Sequence, residues 1–375
     1  MSVSRRSIKS FLAISVLLAP LAHAQISSAP VSGEWFVQET AGGADSAKTC
    51  QLIEDGAAIT GSCTGKAIGT VPLSGTIEGS SVTWALKFPS RVGTVTAIYR
   101  GTLSPPNKIS GIVGAQEFKM EGEFTATRYK LVWADEFNTD GAPDPKKWIY
   151  ETGFVRNNEL QWYQPNNARC ENGLLIIEAR RERKKNPDFV AGSSDWTKSR
   201  EYAEYTSSSL MTRDRASWTY GRFEMRARID TRPGLWPEFW TLGTQREWPW
   251  GGEIDILESW GGLLNANVIW AGKTPGYSRS SSKRRPIASF GDPEWSNKFH
   301  VWRMEWDEQS IRISVDDELL NAVDIDKASN GDGTNAFRQP QYMLLNLAVG
   351  GVAGGDPSKT EFPGRYEIDW VRVYQ

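Results

Sequence analysis

Gly251-Gly252-Glu253-Ile254-Asp255-Ile256-Leu257-Glu258-Ser259-Trp260 is the stretch from which the rest of the chain can be read. As a β-strand it points Glu253 and Asp255 to one face and Ile254 and Ile256 to the other, toward a core. Strict alternation would put Glu258 on the core side, because it stands five residues beyond Glu253. One extra residue, Ile256 or Leu257, absorbed in a β-bulge returns Glu258 to the face of the other two acids. Three carboxylates on one face repel each other, a cost that a purely structural strand has no reason to carry.

Taken alone, the pattern also fits the solvated face of a half-buried strand or a calcium site. Its neighbours favour chemistry on sugars. Trp236-Pro-Glu-Phe-Trp240, Trp248-Pro-Trp250 and Trp260 crowd flat aromatic rings around the acids in sequence, and sugar rings stack on such faces. Retaining glycoside cleavage needs a nucleophilic and a proton-donating carboxyl about 5–5.5 Å apart. Glu253 and Glu258, roughly 13 Å apart at Cα in an extended strand, reach that separation by leaning together over Asp255. The middle acid can then separate the proton affinities of its neighbours.

The remaining composition excludes several alternatives. The chain has 375 residues and a formal charge of −2, which falls to about −5 when Arg5, Arg6 and Lys9 leave with a leader. Nothing in that balance suits nucleic acid. Residues 1–24 read as a secretory signal: a basic start, an apolar run from Phe11 to Leu21 too short to anchor in a bilayer, and Ala22-His23-Ala24 as the cleavage site. Ser4-Arg5-Arg6 leaves twin-arginine export open beside ordinary secretion. No other segment looks membrane-spanning, so the mature protein is expected outside the cytoplasm, secreted or periplasmic, as a monomer. His300 is then the only histidine, and it lies in an alternating strand, which suits a structural role and rules out a histidine-rich zinc site. Cys50 and Cys63 fall in one β region and are expected to pair in an oxidising compartment; Cys170 is expected to be buried.

Two domains follow the leader. Over residues 25–127, seven short runs separated by Gly and Ser predict a small antiparallel barrel or sandwich. The runs are Glu34–Gln38, Ala58–Cys63, Val71–Ile77, Val82–Phe88, Thr94–Leu103, Ile109–Val113 and Glu121–Thr127. The domain carries no catalytic constellation, and polysaccharide binding, an apolar ligand inside a barrel and a spacer role all stay open. Residues 128–375 are strand-rich with no long helical period, which predicts an all-β jelly-roll sandwich with a concave groove.

This second region resembles glycoside hydrolase family 16, the laminarinase-like enzymes that cut β-glucans and related polymers. The resemblance rests on motifs in family order: Trp133-Ala-Asp-Glu-Phe-Asn138, Asn157-Asn-Glu-Leu-Gln161, Tyr220-Gly-Arg-Phe-Glu224, Trp236-Pro-Glu-Phe-Trp240, Glu253-Ile-Asp-Ile-Leu-Glu258, Asn346-Leu-Ala-Val-Gly-Gly351 and Ile368-Asp-Trp-Val-Arg-Val-Tyr374. It implies Glu253 as nucleophile, Glu258 as general acid/base and Asp255 as the supporting acid. It also implies Asn158, Trp236, Trp240 and Trp248 along the groove. No cofactor is implied for catalysis, but a structural calcium is, on Glu136, the Gly173 carbonyl and Asp369.

One position departs from the family. Ile269 stands where many relatives carry a groove-facing histidine. Soon after it, Ser278-Arg279-Ser-Ser-Ser-Lys283-Arg284-Arg285 reads as a basic loop, either plainly solvated or suited to a sulfated or acidic polymer. The expected activity is therefore endo-hydrolysis of a β-1,3 or mixed β-1,3/1,4-glucan. A galactan hydrolase (agar, porphyran or carrageenan type), a non-catalytic glucan-binding protein and transglycosylation are the alternatives.

Overall fold

The computed structural model describes residues 31–90, 93–104, 107–274 and 276–375, apart from the side chain of Gln116. The leader lies outside the described residues.

Eight antiparallel strands close the first domain into a barrel: β1 Gly33–Ala41, β2 Ala44–Asp55, β3 Ala58–Gly65, β4 Gly69–Glu78, β5 Ser81–Ser90, β6 Gly93–Ser104, β7 Lys108–Ala115 and β8 Met120–Thr127. Each strand pairs with the next, and β8 returns to β1 with Phe36 opposite Thr127. Closure leaves no free sheet edge. The barrel resolves the choice between barrel and sandwich, and it contains one strand more than the seven runs. The extra strand is β2, whose inward positions are Lys48, Cys50 and Leu52. A buried lysine at one of them breaks the apolar alternation that would announce the strand.

Glycine opens the space that the inner aromatics occupy. A Cβ on Gly75 would fall 1.9 Å from the Thr83 carbonyl oxygen, and one on Gly111 would fall 2.0 Å from that of Arg100. Without those side chains the strands close in around Trp84, Tyr99 and Phe124. Cys50 and Cys63 face each other across β2 and β3 and are disulfide-bonded, as expected.

The second domain is a two-sheet sandwich. The groove sheet runs in the order Ile149–Tyr150, Ser209–Met211, Gln341–Val349, Leu235–Gly243, Glu253–Trp260, Leu263–Ala271 and Ser278–Pro286. The opposing sheet is built on Gly364–Tyr374, Gly221–Ile229 and His300–Trp306. Between them lies one core containing Phe223, Phe239, Trp302, Trp306, Leu345 and Tyr366, all at 0–1% exposure. The segment 278–286, expected as a loop, is the outer strand of the groove sheet, with Arg284 opposite Asn265 and Ser280 opposite Ile269. Its Ser-rich and basic side chains carry no apolar period, so only pairing with its neighbour shows it to be a strand. His300 is structural, as expected: its Nδ1 lies 2.5 Å from Asp316, its Nε2 lies 2.8 Å from the Trp295 carbonyl, and the ring stacks on Trp295 at 3.9 Å.

Arg128 to Lys130 link the two domains along the chain, and side chains also bridge them. The Phe36 ring lies between the guanidinium groups of Arg222 and Arg303, at 4.6 and 5.0 Å. Gln38 bonds Glu305, Lys66 pairs with Glu318, and Asp45 lies 3.5 Å from Arg312. Burial pushes Glu305 up to about 7.

Phe239 is enclosed between the two sheets, so Phe239→Ala should cost about 3–5 kcal/mol of stability. Urea unfolding of the variant checks this; a loss below about 1 kcal/mol would contradict the placement.

Candidate active site

The strand Glu253–Trp260 lies at the middle of the groove sheet, between Leu235–Gly243 and Leu263–Ala271. Toward the first neighbour, Trp240 opposes Asp255 but Phe239 opposes Leu257, so Ile256 is skipped. Toward the second, Asp255 opposes Asn267 and Glu258 opposes Asn265, so Ile256 and Leu257 together face Ala266 alone. This is the bulge that the acid spacing requires. Ile254, Ile256 and Leu257 are all fully buried in the core, while the three acids share the groove face.

Hydrogen bonds tie the acids into one unit. The side-chain amide of Asn267 donates to Asp255 Oδ2 at 2.8 Å and to Glu258 Oε2 at 2.7 Å. Glu258 Oε1 accepts from the indole N–H groups of Trp236 and Trp260, each at 3.1 Å. Glu253 is hydrogen-bonded to Asp255 and to Trp248.

Burial is the first cause of proton retention at all three. It pushes Glu253 up to about 7, against the hydrogen bonds from Asp255 and Trp248. Asp255 is raised well above its ordinary value by burial and by the charges of Glu253 and Glu258. Glu258 is raised by burial against its three donors. The groups titrate as a set. With its proton retained, Asp255 can donate to a Glu253 carboxylate, while Glu258 holds a second proton at the other end of the row. A carboxylate and a carboxylic acid can thus stand side by side on one face of the sheet.

Sequence reasoning missed a second layer of polar groups. Glu238 alternates with Trp236 and Trp240 on the neighbouring strand and pairs in register with both Glu258 and Asn346. Burial, followed by the charges of Glu159 and Glu258, raises it well above its ordinary value. Asn346 donates to Glu238 and, at 3.1 Å, to the Tyr163 hydroxyl, while its Oδ1 accepts from Trp240 Nε1 at 2.7 Å. Arg156 pairs with Glu151 and lies 5.0 Å over the Trp240 ring. The position of Glu238 between two groove tryptophans was the available signal.

The other expected site residues divide. Trp236 and Trp240 face the groove but are nearly buried, engaged through their N–H groups. Trp248 is 52% exposed and lines a cavity of about 840 Å3 that continues the groove past Gly252, with Arg213 and Tyr342 on its wall. None of the three acids lines that cavity. Asn158 is exposed in a left-handed turn, forms no side-chain hydrogen bond among the described residues and does not join the acids. Ile269 stands opposite Glu253. Of the basic segment, Arg284 lies 5.0 Å over the Trp260 ring on the groove side, whereas Arg285 on the opposite face pairs with Glu318.

The residues expected to hold calcium do not form a cage. Arg372 grips Glu136 in a two-pronged ion pair at 2.8 and 2.9 Å, and Arg226 pairs with Asp369 at 2.5 Å. Among the described residues no three His, Cys, Asp or Glu side chains gather as a metal set. Two guanidinium groups occupy the carboxylates that a divalent cation would need, so these residues as arranged do not fit the ion.

The raised proton affinity of Asp255 has a definite sign for stability. Its contribution is complete below the ordinary aspartate value and is lost as pH rises through the elevated folded value. Asp255→Asn should therefore melt higher than the parent at pH 8, with the difference vanishing toward pH 4. Its activity should fall about tenfold or more, the worth of a hydrogen bond to a charged group. Calorimetry and rates across that pH range check both; an unchanged or lower melting temperature at pH 8 would contradict the buried placement.

Comparison with known proteins agrees with the geometry. The β-glucanase of Rhodothermus marinus is 36% identical over 285 residues, covering 71% of this chain and 92% of its own. The crystal structure of the laminarinase catalytic domain from Thermotoga maritima is 33% identical, with a TM-score of 0.56 over 66% of this chain and 98% of that one. A structure from work on endo-acting O-glycanases of the human gut microbiota that initiate mucin breakdown is 34% identical, with a TM-score of 0.61 over 66% and 91%. The model for glycosyl hydrolases family 16 matches residues 160–372, more than half of the chain, and the chain belongs to that family.

Proposed function

We propose that the protein is an endo-acting hydrolase that cuts β-1,3 or mixed β-1,3/1,4-glucan with retention at the anomeric carbon. The observation that carries this reading is the bulged strand, which holds Glu253, Asp255 and Glu258 on one face of an open groove. Similarity to a β-glucanase and a laminarinase supplies the substrate class.

In the proposed reaction, Glu253 attacks the anomeric carbon as Glu258 gives its proton to the departing glycosidic oxygen. The bond to the leaving sugar breaks, and an ester to Glu253 forms. Glu258, now a carboxylate held by Asn267, Trp236 and Trp260, takes a proton from water. That water displaces Glu253 and restores the original configuration. Asp255 retains its proton and supports the Glu253 carboxylate before attack and on release.

A galactan-type substrate is the second reading. It is supported by Ile269 opposite Glu253 and by Arg284 over Trp260 at the groove edge. The Cys50–Cys63 disulfide fits export to an oxidising compartment.

Product release from laminarin, lichenan, curdlan, agar, carrageenan and porphyran separates these readings. Laminarin or lichenan should be cleaved by the parent and untouched by Glu253→Ala; cleavage of a galactan alone would move the assignment to the second reading. Glu258→Gln keeps an acceptor for both indoles but has no proton to give, so kcat should fall about 10²–10⁴-fold. Equal rates for parent and Glu258→Gln would contradict the acid/base role. Proton NMR of the first product should show the β anomer before mutarotation, and the α anomer would exclude retention.

A further inference from the structure

An eight-stranded barrel has an interior just wide enough for side chains to fill, and most of this one is filled. Trp35, Leu52, Ile77, Leu103 and Ile109 pack one end. Above them Trp84 stacks on Tyr99 at 4.9 Å, with Phe124 edge-on to both. The opposite end stays hollow. Its walls carry Ala41 of β1, Ala97 of β6, and Val113 and Ala115 of β7. The register sets these side by side: Ala41 faces Gly122, Gly122 faces Val113, and Ala97 faces Ala115. Small side chains where the lower layers hold Trp, Tyr and Phe leave a cavity of about 320 Å3. Phe88, Phe118 and Met120 also line it, and Phe118 and Met120 are 39% and 40% exposed. The volume lies at the small end of the ~300–1,000 Å3 range of ligand pockets.

Beneath this apolar cup lies an ion pair that the catalytic chemistry does not use. Lys48, only 5% exposed, reaches Glu39 Oε1 at 2.6 Å and the Tyr99 hydroxyl at 3.1 Å. Ser46 donates to the same Oε1 at 2.7 Å, and the Tyr99 hydroxyl donates to Oε2 at 2.5 Å. A buried ion pair adds little to stability by itself, because desolvation cancels much of the attraction. Of the roughly four lone-pair positions of a carboxylate, these contacts use three. Glu39 lines the cavity, and among the described residues the position without a donor belongs to Oε2.

We propose that the open end of the barrel binds a small neutral amphiphile, its apolar body among Ala41, Ala97 and Val113 and its single hydroxyl donating to Glu39 Oε2. The Glu39–Lys48 pair is neutral as a whole, so a charged head group would lose its hydration with no net charge to repay it, which favours a neutral one. A medium-chain aliphatic alcohol has this chemistry. All the residues lining the cavity belong to the barrel, so the site is separate from the groove and does not depend on the proposed hydrolysis.

The test uses the full chain and the fluorescent probe N-phenyl-1-naphthylamine, which has one N–H donor on an apolar body. The probe should bind, and decan-1-ol should displace it. The ether 1-methoxydecane, which lacks the donor, should displace it about fivefold less well, the worth of one hydrogen bond. Ala97→Trp and Val113→Phe fill the cup and should weaken probe binding about tenfold or more, with polysaccharide hydrolysis unchanged. The proposal is overturned if the parent does not bind the probe, if alcohol and ether compete equally, or if folded cup-filling variants bind as the parent does. Should both variants unfold, the parent's discrimination between alcohol and ether decides the matter alone.

Discussion

One skipped residue governs the chemistry of this protein. Ile256 and Leu257 both go to the core opposite the single residue Ala266, so the strand that leaves Asp255 on the groove face regains it at Glu258. A regular strand of the same sequence would bury Glu258 among aliphatic side chains and bring Leu257 to the groove face in its place. The core enforces the bulge, because Ile254, Ile256 and Leu257 are each fully enclosed. Hydrophobic packing on one side of the sheet therefore fixes the carboxyl geometry on the other.

The acids so placed are crowded, and their surroundings are arranged around that crowding. Glu159, Glu238, Glu253, Asp255 and Glu258 lie in one region with Arg156 as a partly buried cation, itself paired with Glu151. Burial and mutual repulsion keep protons on the set, and neutral donors (Asn267, Asn346, Trp236, Trp260 and Tyr163) bind what charge remains. Raised proton affinities within the set favour a row that mixes carboxylic acid and carboxylate, the state that the proposed double displacement needs. The opposing sheet solves a similar problem with full ion pairs: Glu224 sits between Arg222 and Arg303 beneath the barrel. Strands of one sandwich thus carry polar clusters of two kinds, one poised and one neutralised.

The acid row was legible in the sequence because its period conflicts with a regular strand, and the conflict itself predicts the bulge. Most core strands were legible from apolar alternation. Several strands were not, two of them for clear physical reasons. β2 hides behind the inward Lys48, and 278–286 is a polar outer strand whose identity comes only from its partner. Glu238 and Asn346 were visible within quoted motifs, but their roles depend on cross-strand register, which a linear reading does not contain. The calcium expectation met Arg226 and Arg372, whose reach across neighbouring strands no spacing reveals. Asn158 was placed by resemblance alone, and it lies in an exposed left-handed turn.

The bulged strand is proposed to make Glu253 the nucleophile of a retaining glycosidase. Incubation with an activated 2-deoxy-2-fluoro laminaribioside, followed by peptide mass spectrometry, tests it most directly, because the fluorine slows breakdown of any glycosyl ester. A mass increase of one disaccharide confined to Glu253, and absent in Glu253→Gln, is the predicted result. A stable label on Glu258 or Asp255 would contradict the assignment, and turnover with inversion and no covalent label would contradict the mechanism.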